Sequence, residues 1–540
     1  MDTRGNLGGR SYIRLKTGGW KAASLIIGYE FCERMAFAGI WSNLVVYLTT
    51  KLHEGTVSSS TNASNWIGTS FLTPLLGAYI ADTYFGHFFT FLIFSCIYSL
   101  GMVFLTLVIL LKPWRPPDCP TNEGCQKVSS LTYGTFYIAL YFVALGSGGA
   151  RTTISAFGSD QFGDSDPEES QQKITFFNWW VFIVFFGGLI GQTFVVYVED
   201  QISWGIGFGI ITLALVPSDP SFLHEVDSRE YVAQYRQLIS HTSHLRLLDK
   251  AAVQNGATSN PCTVTDVEET KIVVQILKLW VTAIFPSTLQ IQSGTLFLRQ
   301  AMTLETKMGF NFQFPQASIG AFVPIAMLLS LLVYNHLLVP ILRRFTGNQQ
   351  GITIVQRMGA GMLIHTLAML TAMVTEIERL NAVKKHGVAD NMHAIVPRNI
   401  FTLLPQFMLM GIAAAFLQVG KLEFFYDEAP ESIQSLGSAL YAASLGVGAF
   451  INSILLKVVS SITGRVAHES WILDNVNASR LDLYYALLAF LNSLNYIFFC
   501  IMSHLYRLKR KETEPSVNVS MNVENLGNDI NTDDGIQRGL

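Results

Sequence analysis

The sequence predicts an all-α membrane protein of two six-helix bundles, with an unusually short sixth span. Three observations carry this. Half of the 540 residues are hydrophobic and only 14% are charged, whereas a soluble domain carries about 25% charged residues. Apolar runs recur at or near the ~20 residues that cross a ~30 Å hydrocarbon core. They fall at 22–49, 65–81, 88–111, 131–150, 174–198, 202–216, 272–298, 317–342, 352–375, 399–426, 435–460 and 482–505, and a polar segment, 217–271, divides them six and six. Helices suit these runs because lipid offers no partner to an open backbone amide or carbonyl.

Residues 1–21 hold Arg4, Arg10, Arg14, Lys16 and Lys21 and no short apolar core with a cleavage site. They read as a cytoplasmic N-terminus by the positive-inside tendency. The N-terminal bundle follows over 22–216. Its run Phe88–Leu111 carries no charge, and its last run, Ile202–Val216, is apolar for only 15 residues, about 22 Å of helix. It then meets Pro217 and Pro220, which oppose helical extension. Segment 217–271 reads as a cytoplasmic connector with one amphipathic patch, His244–Val253. The C-terminal bundle occupies 272–506 and is followed by a polar, disordered cytoplasmic tail, 507–540. Arg343, Arg344, Arg507, Lys509, Arg510 and Lys511 all fall on the expected inner side. The mixed charges of 376–398 read as a loop. Asn62-Ala-Ser and Asn477-Ala-Ser are glycosylation sequons on expected outer loops. Cys119 and Cys125 share an expected outer loop where a disulfide is open to them, while Cys32, Cys96 and Cys500 read as small apolar residues of spans.

Charge inside the first span is the most informative departure. Glu30 lies some nine residues into the run, about 13 Å along the helix. Glu30, Glu33 and Arg34 share one face by their three- and four-residue spacing. An ionised group inside a membrane costs about 2.5–3.5 kcal/mol on insertion scales, so the patch faces partners or water. A structural Glu–Arg pair is one reading. Two carboxylates set against one arginine favour the other, a proton relay, because the less compensated carboxylate is poised between protonation states. The net charge of −3 comes without a basic block, so nucleic acid is not an expected partner. The runs hold no metal-ligand cluster, phosphate-binding glycine loop or nucleophile–base pair, so neither an enzyme nor a metal site is expected.

The pattern Glu30-x-x-Glu33-Arg34 also carries a resemblance, together with "SNWIGTSFLTPLLGAYIADTYFG" (64–86), "ALGSGGARTTISAFGSDQF" (144–162), "FFNWW" (176–180) and "KLEFFYDEAPESIQSLGSALY" (421–441). From about residue 20 to 506 the chain resembles the proton-dependent oligopeptide transporter family, including its plant nitrate/peptide branch, and is most similar to the peptide-transporter-3-like group. The resemblance implies a major facilitator fold and proton symport of a small anionic or zwitterionic solute, a di- or tripeptide, with nitrate as the alternative cargo. It implies no cofactor beyond the proton gradient. The expected setting is a bilayer, the plasma membrane rather than the vacuolar one. Oligomeric state is not legible.

The resemblance also implies site residues. Arg151 stands where the family carries a lysine that meets cargo carboxylate or the first-helix carboxylates; the end of a span is its other reading. Trp280 and Gln292 are cavity candidates. Glu423 is expected in the cavity. Lys421, two residues away and therefore on another face, is a cargo candidate more simply read as snorkelling. Gln290 takes the place of a histidine found in one nitrate-transporting relative, and His365 reads as a packed helix contact. Asp82 and Gly86 resemble the turn that latches the two bundles, with Asp82 capping the third helix and Gly86 making the turn. The family pattern is broken at Phe37-Ala38, where two tyrosines are usual, and at His87, Thr152, Asn335-His336 and Gln434. A non-transporting sensor or inactive relative is therefore the competing class.

Overall fold

The computed structural model describes residues 19–111, 114, 128–159, 161–162, 167–214, 264–309, 312–347, 351–392, 394–428, 434–466 and 470–513. Cys119, Cys125, the patch 244–253 and the tail beyond 513 lie outside them. The first half of the chain forms α1 (Gly19–Thr50), α2 (Thr56–Ile80), α3 (Gly86–Leu110), α4 (Ser130–Ser159) and α5 (Pro167–Ile190). A π-helical turn (Gly191–Val195) leads from α5 into α6 (Val196–Gln201), and α7 (Trp204–Ala214) follows. The second half forms α8 (Val264–Gln290), α9 (Leu296–Ala301), α10 (Phe322–Val333), α11 (Val339–Thr346), α12 (Ile354–His386), α13 (Leu404–Asp427), α14 (Gln434–Val466) and α15 (Leu481–Thr513). Four short strands lie between α9 and α13. Leu304–Glu305 pairs in parallel with Val396–Asn399, and Lys307–Met308 pairs antiparallel with Phe312–Gln313.

Every expected span is largely helical over its described residues. Nine helical stretches among the described residues are long and apolar enough to cross a membrane; one of these, Thr56–Leu110, contains both the second and the third span. The first span lies in α1, which carries Glu30, Glu33 and Arg34, and the described part of the sixth holds the short apolar stretch Trp204–Leu213. Two boundaries differ from the sequence reading. The connector ends earlier, because α8 begins at Val264. Residues 376–386 are not a loop: α12 runs to His386, opened by a Thr353/Gln356 capping box and closed by Gly387 at φ 65°. Those are ordinary helix start and stop signals.

Each bundle has its own core. Tyr47, Trp66, Tyr98, Met102 and Phe136 fill the first. Phe297, Phe407, Tyr484 and Tyr485 fill the second. Without a hydrophobic drive between helices in lipid, close packing needs small residues at the crossings. At α3–α4, a Cβ on Gly146 would stand 2.3 Å from the Tyr98 backbone nitrogen. At the crossing of α2 with α14, which joins the bundles, a Cβ on Gly68 would stand 2.9 Å from the Phe450 ring.

Polar contacts seal the bundles at the end that carries Thr56. Asp474 Oδ1 accepts from the Thr56 backbone N–H (2.9 Å), so a residue of the C-terminal bundle caps a helix of the other. Arg299 Nη2 donates to Thr56 Oγ1 (2.7 Å). One turn deeper, Ser453 donates to the Thr61 carbonyl (3.1 Å) and Asn452 Nδ2 to Ser64 Oγ (2.9 Å). At the turn between α2 and α3, Gly86 adopts φ 72°, the left-handed region that glycine enters freely. The cap position of α3 is Phe85, with no side-chain cap of its own; Asp82 lies within the preceding π turn, Ala81–Phe85, and its expected capping contact lies outside the described side chains.

Candidate functional site

The α1 carboxylates are buried, Glu30 completely and Glu33 almost so. Arg34 Nε donates to Glu30 Oε1 (2.7 Å), one helical turn away, and stands 3.6 Å from Glu33 Oε2. The second cation comes from α4. Arg151 Nε and Nη2 both donate to Glu33 Oε1, at 3.0 and 2.8 Å. Its guanidinium carbon lies 3.8 Å from the centroid of Phe37, a ring stacked in turn on Trp66 at 5.2 Å. Phe37, noted in the sequence only as a missing hydroxyl, is thus the platform that orients Arg151.

This revises the charge count. The sequence set two carboxylates against one arginine; the fold supplies Arg151, and the group is two against two. Arg151 sits in the last third of α4, three residues before the end of the apolar span Ser130–Ile154, with its side chain 8% exposed. The compensation is nevertheless partial. Glu30 Oε2, Glu33 Oε2 and Arg151 Nη1 are buried and make no hydrogen bond. A group with open valences on both signs is closed when a proton or an anion arrives.

The remaining candidates are dispersed. Glu423 is part-exposed and lies 3.4 Å from Arg357 Nη1. Arg357, which sequence reasoning passed over, also covers the Tyr334 ring at 4.5 Å; its signal was a lone charge at the start of the ninth span. Trp280 Nε1 donates to the Leu440 carbonyl (2.7 Å), tying α8 to α14. Gln292 is fully buried and donates to Asn452 (2.7 Å), at the sealed end. His365 is buried and meets Gln290 Oε1 at 3.1 Å, a helix–helix contact of the kind expected. Lys421 does not snorkel. It is 0% exposed and its Nζ donates to Ser287 and Ser444.

Neither sequon lies on an open loop. Asn62 is inside α2, with its amide donating to Glu54 and Tyr137. Asn477 is 2% exposed, and its amide donates to the Asn391 and Ala394 carbonyls. Its Oδ1 accepts from Arg379 (2.8 Å). Arg379 completes its bonding with Glu376 through Nε and Nη2 (2.8 and 2.7 Å), Thr303 (3.2 Å) and the Val476 carbonyl (2.8 Å). All five of its N–H donors are therefore used. These partners give Asn477 a structural role in the folded protein. Arg379→Ala would leave Glu376 as an unpaired buried charge. We expect it to cost about 3–5 kcal/mol and to appear as aggregated protein in size-exclusion chromatography. An Asn477→Gln chain should migrate as the parent does on a denaturing gel; faster migration would restore the sequon reading.

Among the described residues no group of three or more His, Cys, Asp or Glu is placed to hold a metal ion. The arrangement is one of buried ion pairs on helices at the junction of two bundles.

Comparison with known proteins agrees. The sequence model of PTR2, the POT family, matches residues 88–224 and 221–472. The chain is 42% identical to Protein NRT1/PTR FAMILY 5.3 of Arabidopsis thaliana over 576 aligned positions, covering 98% of this chain and 97% of that protein. It is 43% identical to NRT1/PTR FAMILY 5.2 of the same plant, with 96% of each covered. Among solved structures, an auto-inhibited POT family peptide transporter superposes with a TM-score of 0.67 at 18% identity, covering 90% of this chain and 97% of that one. The POT family transporter PepTSo gives 0.66 at 20%, covering 91% and 99%. These likenesses give the major facilitator type of fold. With relatives above 40% identity along nearly its whole length, the chain belongs to the POT family of membrane transporters and is not an enzyme.

Proposed function

We propose that the chain is a proton-coupled symporter of small peptides or related anionic or zwitterionic solutes, driven by the proton gradient without a cofactor. The observation that carries this reading is the shared use of Glu33. Its Oε1 holds both Arg151 donors, and its Oε2 makes no hydrogen bond. An anionic cargo group that takes Arg151 strips Glu33 of its hydrogen-bonded counter-charge and leaves it Arg34, 3.6 Å away and bonded to Glu30; a desolvated carboxylate so weakened favours protonation. Cargo and proton then enter together. Glu30 and Arg34 extend the same exchange by one turn, and Glu423, with Arg357 beside it, is the acidic group for a peptide amine.

The N-terminal arginines and lysines support a cytoplasmic N-terminus, with the plasma membrane as the site. On that orientation the sealed Thr56 end faces outward, and the α1 cluster lies in the inner half. Nitrate is the second reading. One observation favours it: the position occupied by histidine in a nitrate-transporting relative is Gln290, and His365 brings an imidazole to within 3.1 Å of that side chain.

The test is uptake of labelled alanyl-alanine and of nitrate in oocytes expressing the chain, with inward current recorded as the bath is acidified. We expect an acid-dependent current with one of the two solutes, abolished by a protonophore. Surface expression without uptake or current would make the chain a sensor or inactive relative.

A further inference from the structure

Four interior arginines of this fold have been given a carboxylate. Arg34, Arg151, Arg357 and Arg379 each lie within 4 Å of a glutamate. Lys421 has no such partner among the described residues, although it is 0% exposed. Its Nζ donates to Ser287 Oγ on α8 (2.9 Å) and to Ser444 Oγ on α14 (3.2 Å). Both hydroxyls spend their own proton on backbone, Ser287 on the Ala283 carbonyl (3.0 Å) and Ser444 on that of Tyr441 (2.7 Å). Their lone pairs are thereby fixed toward the lysine. An ammonium has three donors, and the third finds no acceptor among the described residues. The Tyr441 ring, with its centroid 5.6 Å from Nζ, forms one wall. A buried cation held only by neutral groups costs free energy that an anion would relieve.

Its surroundings place this gap near the junction of the two bundles. Lys421 lies where α8, α13 and α14 meet. Tyr441 is within electrostatic range of Arg34 on α1, across the bundle junction, and Trp280 steadies the same stretch of α14 through Leu440. The charged or titratable neighbours are His365 on α12, Tyr441 on α14 and Glu423 two positions along α13; α8 presents Ser287.

We infer that Lys421, with Ser287 and Ser444, is a subsite for a planar oxyanion of the cargo, a peptide carboxylate or nitrate. In the conformation described here the serines hold the amine. When the bundles part, the oxyanion supplies the missing counter-charge and the hydroxyls flank it. The inference deepens the symport reading by adding, on the C-terminal bundle, a second anion contact to that of Arg151, and it rests on that reading for the nature of the cargo.

The test uses purified full-length chain in detergent, so no gradient is present and its outcome does not depend on proton coupling, which the uptake assay judges separately. Thermal unfolding is followed with millimolar nitrate, alanyl-alanine or alanyl-alanine amide. We expect stabilisation by nitrate or by alanyl-alanine, identifying which oxyanion is held, and none by the amide. In Lys421→Met the half-saturating concentration should rise about ten- to a hundredfold, the range of one charge-assisted hydrogen bond. Lys421→Arg should retain the response. Without ligand, Lys421→Met should melt at or above the wild-type temperature, since an apolar chain replaces an uncompensated amine. A lower melting temperature would make Lys421 a structural crosslink. An unchanged ligand response in Lys421→Met, or a wild type that responds to neither oxyanion, would equally overturn the assignment.

Discussion

Glu33→Gln is expected to abolish accumulation of cargo against its gradient while leaving downhill exchange. A tenfold proton ratio supplies about 1.4 kcal/mol per proton, which one-to-one coupling turns into about tenfold accumulation. Glutamine keeps the size and the acceptor oxygen of Glu33 but cannot bind and release the transported proton. The inside-to-outside ratio should therefore fall to near equality. Glu30→Gln should give the same collapse, because Glu30 holds the Arg34 that also faces Glu33. Loss of one partner from a buried pair is itself costly, about 3–5 kcal/mol, so reduced surface expression is a competing cause. The double variant Glu33→Gln/Arg151→Gln separates the two. It removes both charges at once and should recover expression relative to Glu33→Gln, but not accumulation. Tenfold accumulation by both single variants in proteoliposomes would end the proton-coupling reading and leave the α1–α4 pairs as structural clamps.

The parts of this fold that depend on composition were legible in the sequence, and the parts that depend on pairing were not. Every apolar run is largely helical over its described residues because a chain in lipid has no other local solution. The length of α12 was misjudged at Glu376 because a buried ion pair and a solvated loop have the same composition. Only the 376/379 spacing, the capping box at Thr353 and Gly387 distinguish them. Glu30, Glu33 and Arg34 stood out because charge is rare in a span. Their second counter-ion could not be read locally, since Arg151 lies 118 residues further along the chain. The same limit applies to Lys421. Its burial depends on serines contributed by two other helices, and a lysine near the end of an apolar run otherwise has an easy route to the interface. The structural role of Asn477 was hidden for the opposite reason: three residues suffice to write a sequon, while the fold uses that side chain for Arg379.

Lengthening the sixth helix is expected to raise transport severalfold above that of the chain as it stands. Helix α7, Trp204–Ala214, lies in the apolar run 202–216, whose 15 residues give about 22 Å at the helical rise, short of a ~30 Å core. It starts against the Leu110 end of α3, where Gly205 leaves room for the leucine side chain. It reaches as far as Thr106 and the Met102 carbonyl, both bonded by Thr212 (2.8 and 3.3 Å). On the proposed orientation this is the outer half. Gly86–Gly101 is the inner half of α3, on the side of the α1 cluster. The family match breaks into two pieces that meet at 221–224, just past this run, and the 576-position alignment with the Arabidopsis relative is longer than the chain's own 540 residues. Mismatch costs only fractions of a kcal/mol per Å, so the short run inserts, and the expected loss falls on the conformational cycle. Inserting about eight apolar residues after Ala214 adds about 12 Å and should carry the span along the inner half of α3. Initial uptake rates, normalised to surface expression, decide the matter, with protease access to the Arg343–Arg344 stretch confirming that both chains keep it inside. Equal rates for the original and extended chains would mean that the inner half of α3 needs no sixth-span cover.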